Sequence, residues 1–188
     1  MSPDTSILII VIYFIAIAIY GIMEIYLQLR FSKWKLKRTR DKGLISIMVP
    51  FYLAIYLAPF ENILLKKNLY IITIAIGFSI LVTGVILRLL ALLKLRENFS
   101  MVVESGDKDS LIVDGPYRYI RHPLYLATLF IALSGCIIFT CMVTWIFFVL
   151  TWVSILRRIK VEEAYLISAF QGYEAYMYHT KKLIPFLY

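Results

Sequence analysis

Four apolar runs, separated by polar and mostly basic stretches, dominate the hydropathy pattern of this chain. Residues 6–29 carry one charge, Glu24, near their end; residues 44–60 carry none; residues 69–93 carry only Arg88; residues 124–156 carry none. About 20 apolar residues cross a ~30 Å hydrocarbon layer as a helix. The first three runs therefore predict three spans. The fourth would measure about 50 Å as one helix, too long for one crossing, and divides into two helices of about 16 residues, which are short. Gly135 and the stretch TCMVT offer the break, so the expectation is a tight hairpin, tilted or not fully crossing. Residues 157–178 predict a helix running out of the fifth span and broken near Gly172. The closing KKLIPFLY would lie against the membrane surface. The fold class is thus an all-α polytopic membrane protein of about five transmembrane helices, with a C-terminal helical hairpin and a cytoplasmic C-terminal helix. It reads as one membrane-embedded domain over 1–188, with a helix pair over 1–60 and a core over 69–188. The ten-residue alternation of a membrane β-barrel is absent from the pattern.

Composition agrees. The 188 residues are 61% hydrophobic, with mean hydropathy +0.80, whereas soluble domains are roughly half apolar. The stretch MSPDTSILII lacks a basic n-region, and the run behind it is too long for a signal-peptide core, so the first run reads as a retained span. The net charge of +8 comes from basic residues next to the spans. Topology and anionic lipid account for it better than nucleic acid does. RFSKWKLKRTRDK (30–42) is densely basic and should be cytoplasmic; parity then puts 94–123 and the C-terminal region on the same side. Cys136 and Cys141 share one apolar run, and the two histidines are His122 and His179. No disulfide framework and no local metal motif can be built from them.

Three constellations carry potential chemistry. In DGPYRYIRHPLY (114–125), Asp114-Gly115-Pro116 is a turn and Pro123 suits the first turn of a helix. His122 then sits at the cap, where free N–H groups favour an anion. Tyr117, Tyr119 and Tyr125 add hydroxyls and π faces. The same residues also read as a membrane-interface belt, with Arg118 and Arg121 as lipid-facing anchors. In RRIKVEEAY (157–165), Arg158 and Glu162 are an i,i+4 pair, either a plain ion pair or, with Glu163, one half of a zwitterion site facing the His-Pro cluster. On the third run, Thr73, Gly77, Gly84 and Arg88 form a stripe for close packing; Arg88 either snorkels or pairs with Glu24. There is no G-x-G-x-x-G, P-loop, G-x-S-x-G or H-E-x-x-H motif.

GPYRYIRHPLY, an apolar hairpin and then EE resembles the signature of the isoprenylcysteine carboxyl methyltransferase family, R-H-P-x-Y followed by paired glutamates. The similarity extends to Gly84, Arg88, Ala91, Asn98 and Phe99, and to Phe170, Tyr173, Tyr176 and Pro185. It covers about residues 84–188 and is shared more loosely by membrane phospholipid methyltransferases. The resemblance implies a membrane-embedded enzyme with S-adenosyl-L-methionine as cofactor, entering from the cytosol. The acceptor it implies is a lipid-modified cysteine carboxylate entering from the bilayer. Carried over by position, it implies cofactor contacts from Tyr117, His122, Pro123, Leu124, Tyr125, Glu162 and Glu163, with Leu111 and Ile112 through backbone. Glu104 stands where relatives carry glutamine. Arg158 matches the arginine on the acceptor side. No metal and no nucleic acid are expected. Other readings are an amine-directed phospholipid N-methyltransferase, an NADPH-binding membrane reductase, and a non-catalytic lipid-binding protein.

Overall fold

A computed structural model describes residues 3–31, 42–95 and 111–184. It contains α1 (Pro3–Phe31), α2 (Lys42–Leu64), α3 (Ile71–Leu95), α4 (Pro123–Ile138), α5 (Thr144–Ala169) and α6 (Tyr173–His179), with a 3₁₀ turn at Gly115–Arg118 before α4. Among the described residues the only strand-like feature is one parallel bridge, Ile120 to Lys181. Helices α1, α2 and α3 are long and apolar enough to cross a membrane, while α4 is a shorter apolar helix. The all-α polytopic reading holds, as do the hairpin of α4 and α5 and the helix break before α6, where Gly172 takes a φ of 91°.

Helix α4 is the centre. Its 16 residues span about 24 Å, and it packs against α2, α3 and α5. The stripe on α3 runs down it in antiparallel register. A Cβ on Gly77 would meet Ile138 and Ser134, and one on Gly84 would lie 3.0 Å from Phe130 Cβ and 3.2 Å from the Ala127 carbonyl. Arg88 completes the row by donating to the Leu124 carbonyl and to Thr128 Oγ1. Gly77 and Gly84 therefore serve packing within the chain. The Thr73 hydroxyl donates to the Tyr70 carbonyl one turn back.

The hairpin breaks at the TCMVT stretch, as expected, and not at Gly135. That residue lies inside α4, and the chain turns at Phe139–Val143, with Thr140 in the left-handed region at φ 49°. Gly135 serves a close approach instead. Pro59, inside α2, has no N–H, so the Ile55 carbonyl four residues earlier loses its helical donor. Tyr13 of α1 supplies one, its hydroxyl donating to Ile55 O at 3.2 Å. A Cβ on Gly135 would sit 2.7 Å from that hydroxyl, while the Tyr13 ring meets Phe139 edge-on at 5.0 Å. One tyrosine thus joins α1, α2 and α4.

The far end of the bundle is closed by Glu61 at the end of α2. Its carboxylate accepts from the backbone N–H groups of Met142, Val143 and Thr144 at 2.6, 3.1 and 2.9 Å, and from Thr144 Oγ1 at 2.7 Å. These are the orphan donors at the start of α5, capped from another helix. Lys67 bridges Glu61 at 3.4 Å and donates to the Thr140 carbonyl.

The Tyr13 junction gives a coupling prediction. Tyr13→Phe and Gly135→Ala should each lower stability in detergent by about 1–3 kcal/mol, one by stranding a buried carbonyl and the other by displacing its donor. The double variant should cost clearly less than the sum, since both break one contact. A thermal-unfolding cycle reads this, and additive costs would refute the shared junction.

Candidate functional site

The residues singled out around the His-Pro motif converge at the end of the bundle where α4 begins. Pro116 opens the 3₁₀ turn that buries Tyr117. The residues that follow are paired by the C-terminal segment, with one bridge between Ile120 and Lys181. Arg121 N–H donates to the Lys181 carbonyl at 2.8 Å, His122 N–H to the Lys182 carbonyl at 3.1 Å, and Lys181 N–H back to the Tyr119 carbonyl. This pairing answers an accounting question: α4 starts inside the protein, and the amides leading into it need partners. Pro123 needs none. The amides of Tyr125 and Leu126 both fold back onto the His122 carbonyl.

The second wall is the charged half of α5. One oxygen of Glu162, Oε1, accepts from the Tyr125 hydroxyl at 2.5 Å and from Arg158 Nε at 2.9 Å. Its other oxygen lies 3.7 Å from His122 Nδ1. The His122 and Tyr125 rings stack at 5.7 Å. Glu163, one residue on, faces elsewhere. Its Oε1 accepts from Arg121 Nε at 2.8 Å, and its Oε2 lies 3.3 Å from Lys182 Nζ. His122 Nε2 is 3.5 Å from Glu163 Oε1, an electrostatic contact without the geometry of a formed hydrogen bond.

Arg121 overturns the interface-anchor alternative for that residue. It is 9% exposed and donates to Glu163 and to the carbonyls of Met177 and Thr180. It fastens the segment after α6 to the His-Pro turn. Arg118 and Tyr119 are exposed. Leu111 and Ile112 are half-buried on the approach to the 3₁₀ turn, and Glu104 lies outside the described residues. Tyr176 donates to the Tyr117 carbonyl at 2.6 Å. The tail contacts, Thr180 to Lys182, had no motif to announce them. KKLIPFLY reads as lying against the membrane surface, whereas its described part pairs with the His-Pro turn and buries Leu183.

Two polar atoms stand out. The Tyr117 hydroxyl and His122 Nε2 are fully buried and have no hydrogen-bond partner. Buried polar atoms are nearly always paired, so two orphans within one cluster point to a ligand's polar groups. Burial raises the Tyr117 hydroxyl well above its ordinary value, Tyr176 and Glu162 adding to the rise and Arg88 opposing it. Among the described residues no group of three His, Cys, Asp or Glu could hold a metal ion.

The fold and this cluster define a class: an integral membrane protein of packed helices with a buried polar site at one mouth, where a short helix start faces a charged helix end. The family model for isoprenylcysteine carboxyl methyltransferase (ICMT) matches residues 74–168, and the chain belongs to that family. A protein-S-isoprenylcysteine O-methyltransferase of Schizosaccharomyces pombe is 38% identical over 119 residues, covering 61% of this chain and 50% of that protein. One of Tribolium castaneum is 29% identical over 123 residues, covering 60% and 41%. A solved structure of the eukaryotic intramembrane Ras methyltransferase ICMT matches with a TM-score of 0.58 at 26% identity, over 79% of this chain and 54% of that one. The chain spans about half the length of the curated relatives it matches.

The Glu163 cluster makes an acid-side prediction. Burial alone would raise this carboxyl, but His122 and Arg121 beside it outweigh that and hold it at about 2, below the ordinary 4.5. A depressed carboxylate contributes stability that is complete above its unfolded value and is lost as pH falls through the folded one. Thermal stability in detergent should therefore fall between pH 4.5 and about 2. Glu163→Gln should lower stability at pH 7 and flatten that acid limb. An unchanged limb would remove Glu163 from the account.

Proposed function

We propose that this chain is an S-adenosylmethionine-dependent methyltransferase that esterifies the carboxylate of an isoprenylated cysteine, with its site facing the cytoplasm. The observation that carries the reading is the pair of orphaned buried atoms, Tyr117 hydroxyl and His122 Nε2, lying where the family signature puts its donor-binding residues. Family membership and relatives that carry this activity in their names support it. The basic stretch 30–42 supports the cytoplasmic orientation.

Bound there, S-adenosylmethionine supplies a methyl group on a sulfonium. His122 and Tyr117 would satisfy their open valences on its polar groups, and the backbone around Pro123 and Leu124 would form the adjoining wall. Glu162 Oε2, the oxygen not already shared by Tyr125 and Arg158, is placed to accept from a ribose hydroxyl or the ammonium. Tyr125 presents a ring face to a cation. Leu111 and Ile112 close the approach through their backbone. Glu163 has both oxygens engaged by protein cations, so its contribution runs through its hold on Arg121. Arg158 orients the acceptor carboxylate by a charge-assisted pair, itself fixed by Glu162.

The chemistry asks little more. The acceptor carboxylate is ionised at pH 7 and forms its O–C bond as the C–S bond breaks, with no proton to move. In-line placement and exclusion of water supply the rate. The lack of a catalytic triad in the sequence follows from that. The isoprenyl chain, being apolar, reaches the site from the bilayer.

Two experiments test this. Detergent-purified chain should bind S-adenosylhomocysteine saturably, and His122→Ala and Glu162→Ala should each weaken binding at least tenfold, the order of one lost buried hydrogen bond to a ligand. Binding of NADPH in its place would point to a reductase instead. Supplied with S-adenosylmethionine and a farnesylated cysteine analogue, the chain should form a methyl ester. Arg158→Ala should cut ester formation by about a hundredfold, as for loss of a charged pair, while S-adenosylhomocysteine affinity changes little. Turnover surviving in that variant would overturn the role given to Arg158.

A further inference from the structure

Behind the His-Pro turn, on the side away from α5, lies an ion pair inside the membrane-spanning region. Arg88 of α3 and Glu24 of α1 form a two-pronged pair, Nε to Oε2 and Nη2 to Oε1, both at 2.6 Å. The side chains are only 14% and 12% exposed. The third guanidinium nitrogen donates to the Leu124 carbonyl at 3.3 Å and to Thr128 Oγ1 at 3.0 Å. Leu124 is the second residue of α4, so the arginine grips the helix turn that carries His122, Pro123 and Tyr125. Its orientation is fixed by four bonds and leaves no room for snorkelling.

The placement creates an electrostatic problem. A helix N-terminus is its positive end, and a cation beside it is unfavourable. In a low-dielectric setting the arginine's charge is felt across a helical turn, and it reaches the Tyr117 hydroxyl. An uncompensated Arg88 would therefore repel any cation held in front of that turn. The compensating carboxylate comes from α1, which lies outside the residues matched by the family model, 74–168.

We infer that Glu24 and Arg88 are positioning residues: the arginine fixes the α4 start, and the glutamate cancels its charge so that the site accepts a sulfonium cation. The inference rests on the donor-binding reading above. It predicts a discrimination that a purely structural pair would not give. S-adenosylmethionine and S-adenosylhomocysteine differ by a methyl group and one positive charge. Removing Glu24's charge should penalise the cation selectively.

The test is equilibrium binding of both compounds to the detergent-purified full chain. In Glu24→Gln the affinity for S-adenosylmethionine should fall roughly tenfold more than that for S-adenosylhomocysteine, the order expected for one unneutralised charge acting across a helical turn at an effective dielectric near 20. Glu24→Asp and the doubly neutral Glu24→Gln/Arg88→Met should keep the wild-type ratio of the two affinities. Equal losses for both compounds in Glu24→Gln, or a shifted ratio in the double variant, would overturn the inference and leave a structural pair. Should Glu24→Gln fail to fold, Glu24→Ser carries the same test, since it too removes the carboxylate and leaves Arg88 in place; an unchanged ratio there would overturn the inference. Failure of the wild-type chain to bind either compound would instead refute the donor-binding reading itself.

Discussion

Backbone amides and carbonyls that lose their helical partners must be satisfied inside the protein, because hydrocarbon offers none. That constraint shapes this structure at three places. Pro59 frees the Ile55 carbonyl, and Tyr13 reaches from α1 to fill it. The start of α5 exposes three amides, and Glu61 reaches from α2 to cap them. The start of α4 is buried, and the C-terminal segment pairs with the residues leading into it. Each solution is supplied by a distant part of the chain, so each also fixes one helix relative to another. The result is a bundle whose central helix begins and ends at defined positions, and the site inherits that definition.

Charge follows the same logic. The buried cations described around the site each have a carboxylate: Arg88 with Glu24, Arg121 with Glu163, Arg158 with Glu162. A buried pair repays its desolvation only with good geometry and further hydrogen bonds. Arg88 and Arg121 meet that condition by donating also to backbone carbonyls. The third pair differs in its carboxylate: Arg158 is 5% exposed, but Glu162 is 22% exposed against 8% for Glu163 and 12% for Glu24. A carboxylate at the open edge of a cluster otherwise closed by pairing is the group best placed to exchange a protein partner for a ligand.

Much of this was legible in the sequence. Apolar run lengths gave the spans, because a helix crossing hydrocarbon leaves a long uninterrupted signal. The Gly77, Gly84, Arg88 stripe gave the α3 face, because small residues at helical spacing have few other uses in such a segment. Pro123 marked the start of α4 through its fixed φ and missing donor. The failures share a cause. Gly135 looked like a break, yet its lack of a side chain makes room for Tyr13, 122 residues away in sequence. Arg121 looked like an interface anchor, since nothing local says that Met177 and Thr180 will offer carbonyls to it. Glu61 falls just past the second apolar run, and its capping role depends on where α5 starts. Local pattern reports periodicity and punctuation; it does not report which distant group completes a hydrogen bond.

The paired glutamates show how one motif divides between these kinds of information. Adjacent residues on a helix point about 100° apart, so an E-E pair at the end of a span cannot put both carboxylates on one surface. Here Glu162 turns toward Tyr125, Arg158 and His122 Nδ1, and Glu163 toward Arg121, Lys182 and His122 Nε2. The histidine lies between them, each ring nitrogen facing a different glutamate. A ligand drawing Glu162 into a new bond would leave Glu163 in place, still holding Arg121 and with it the tail and the start of α4. The pairing of two glutamates thus separates what can move from what must not. A motif with one carboxylate would have to assign both duties to the same group.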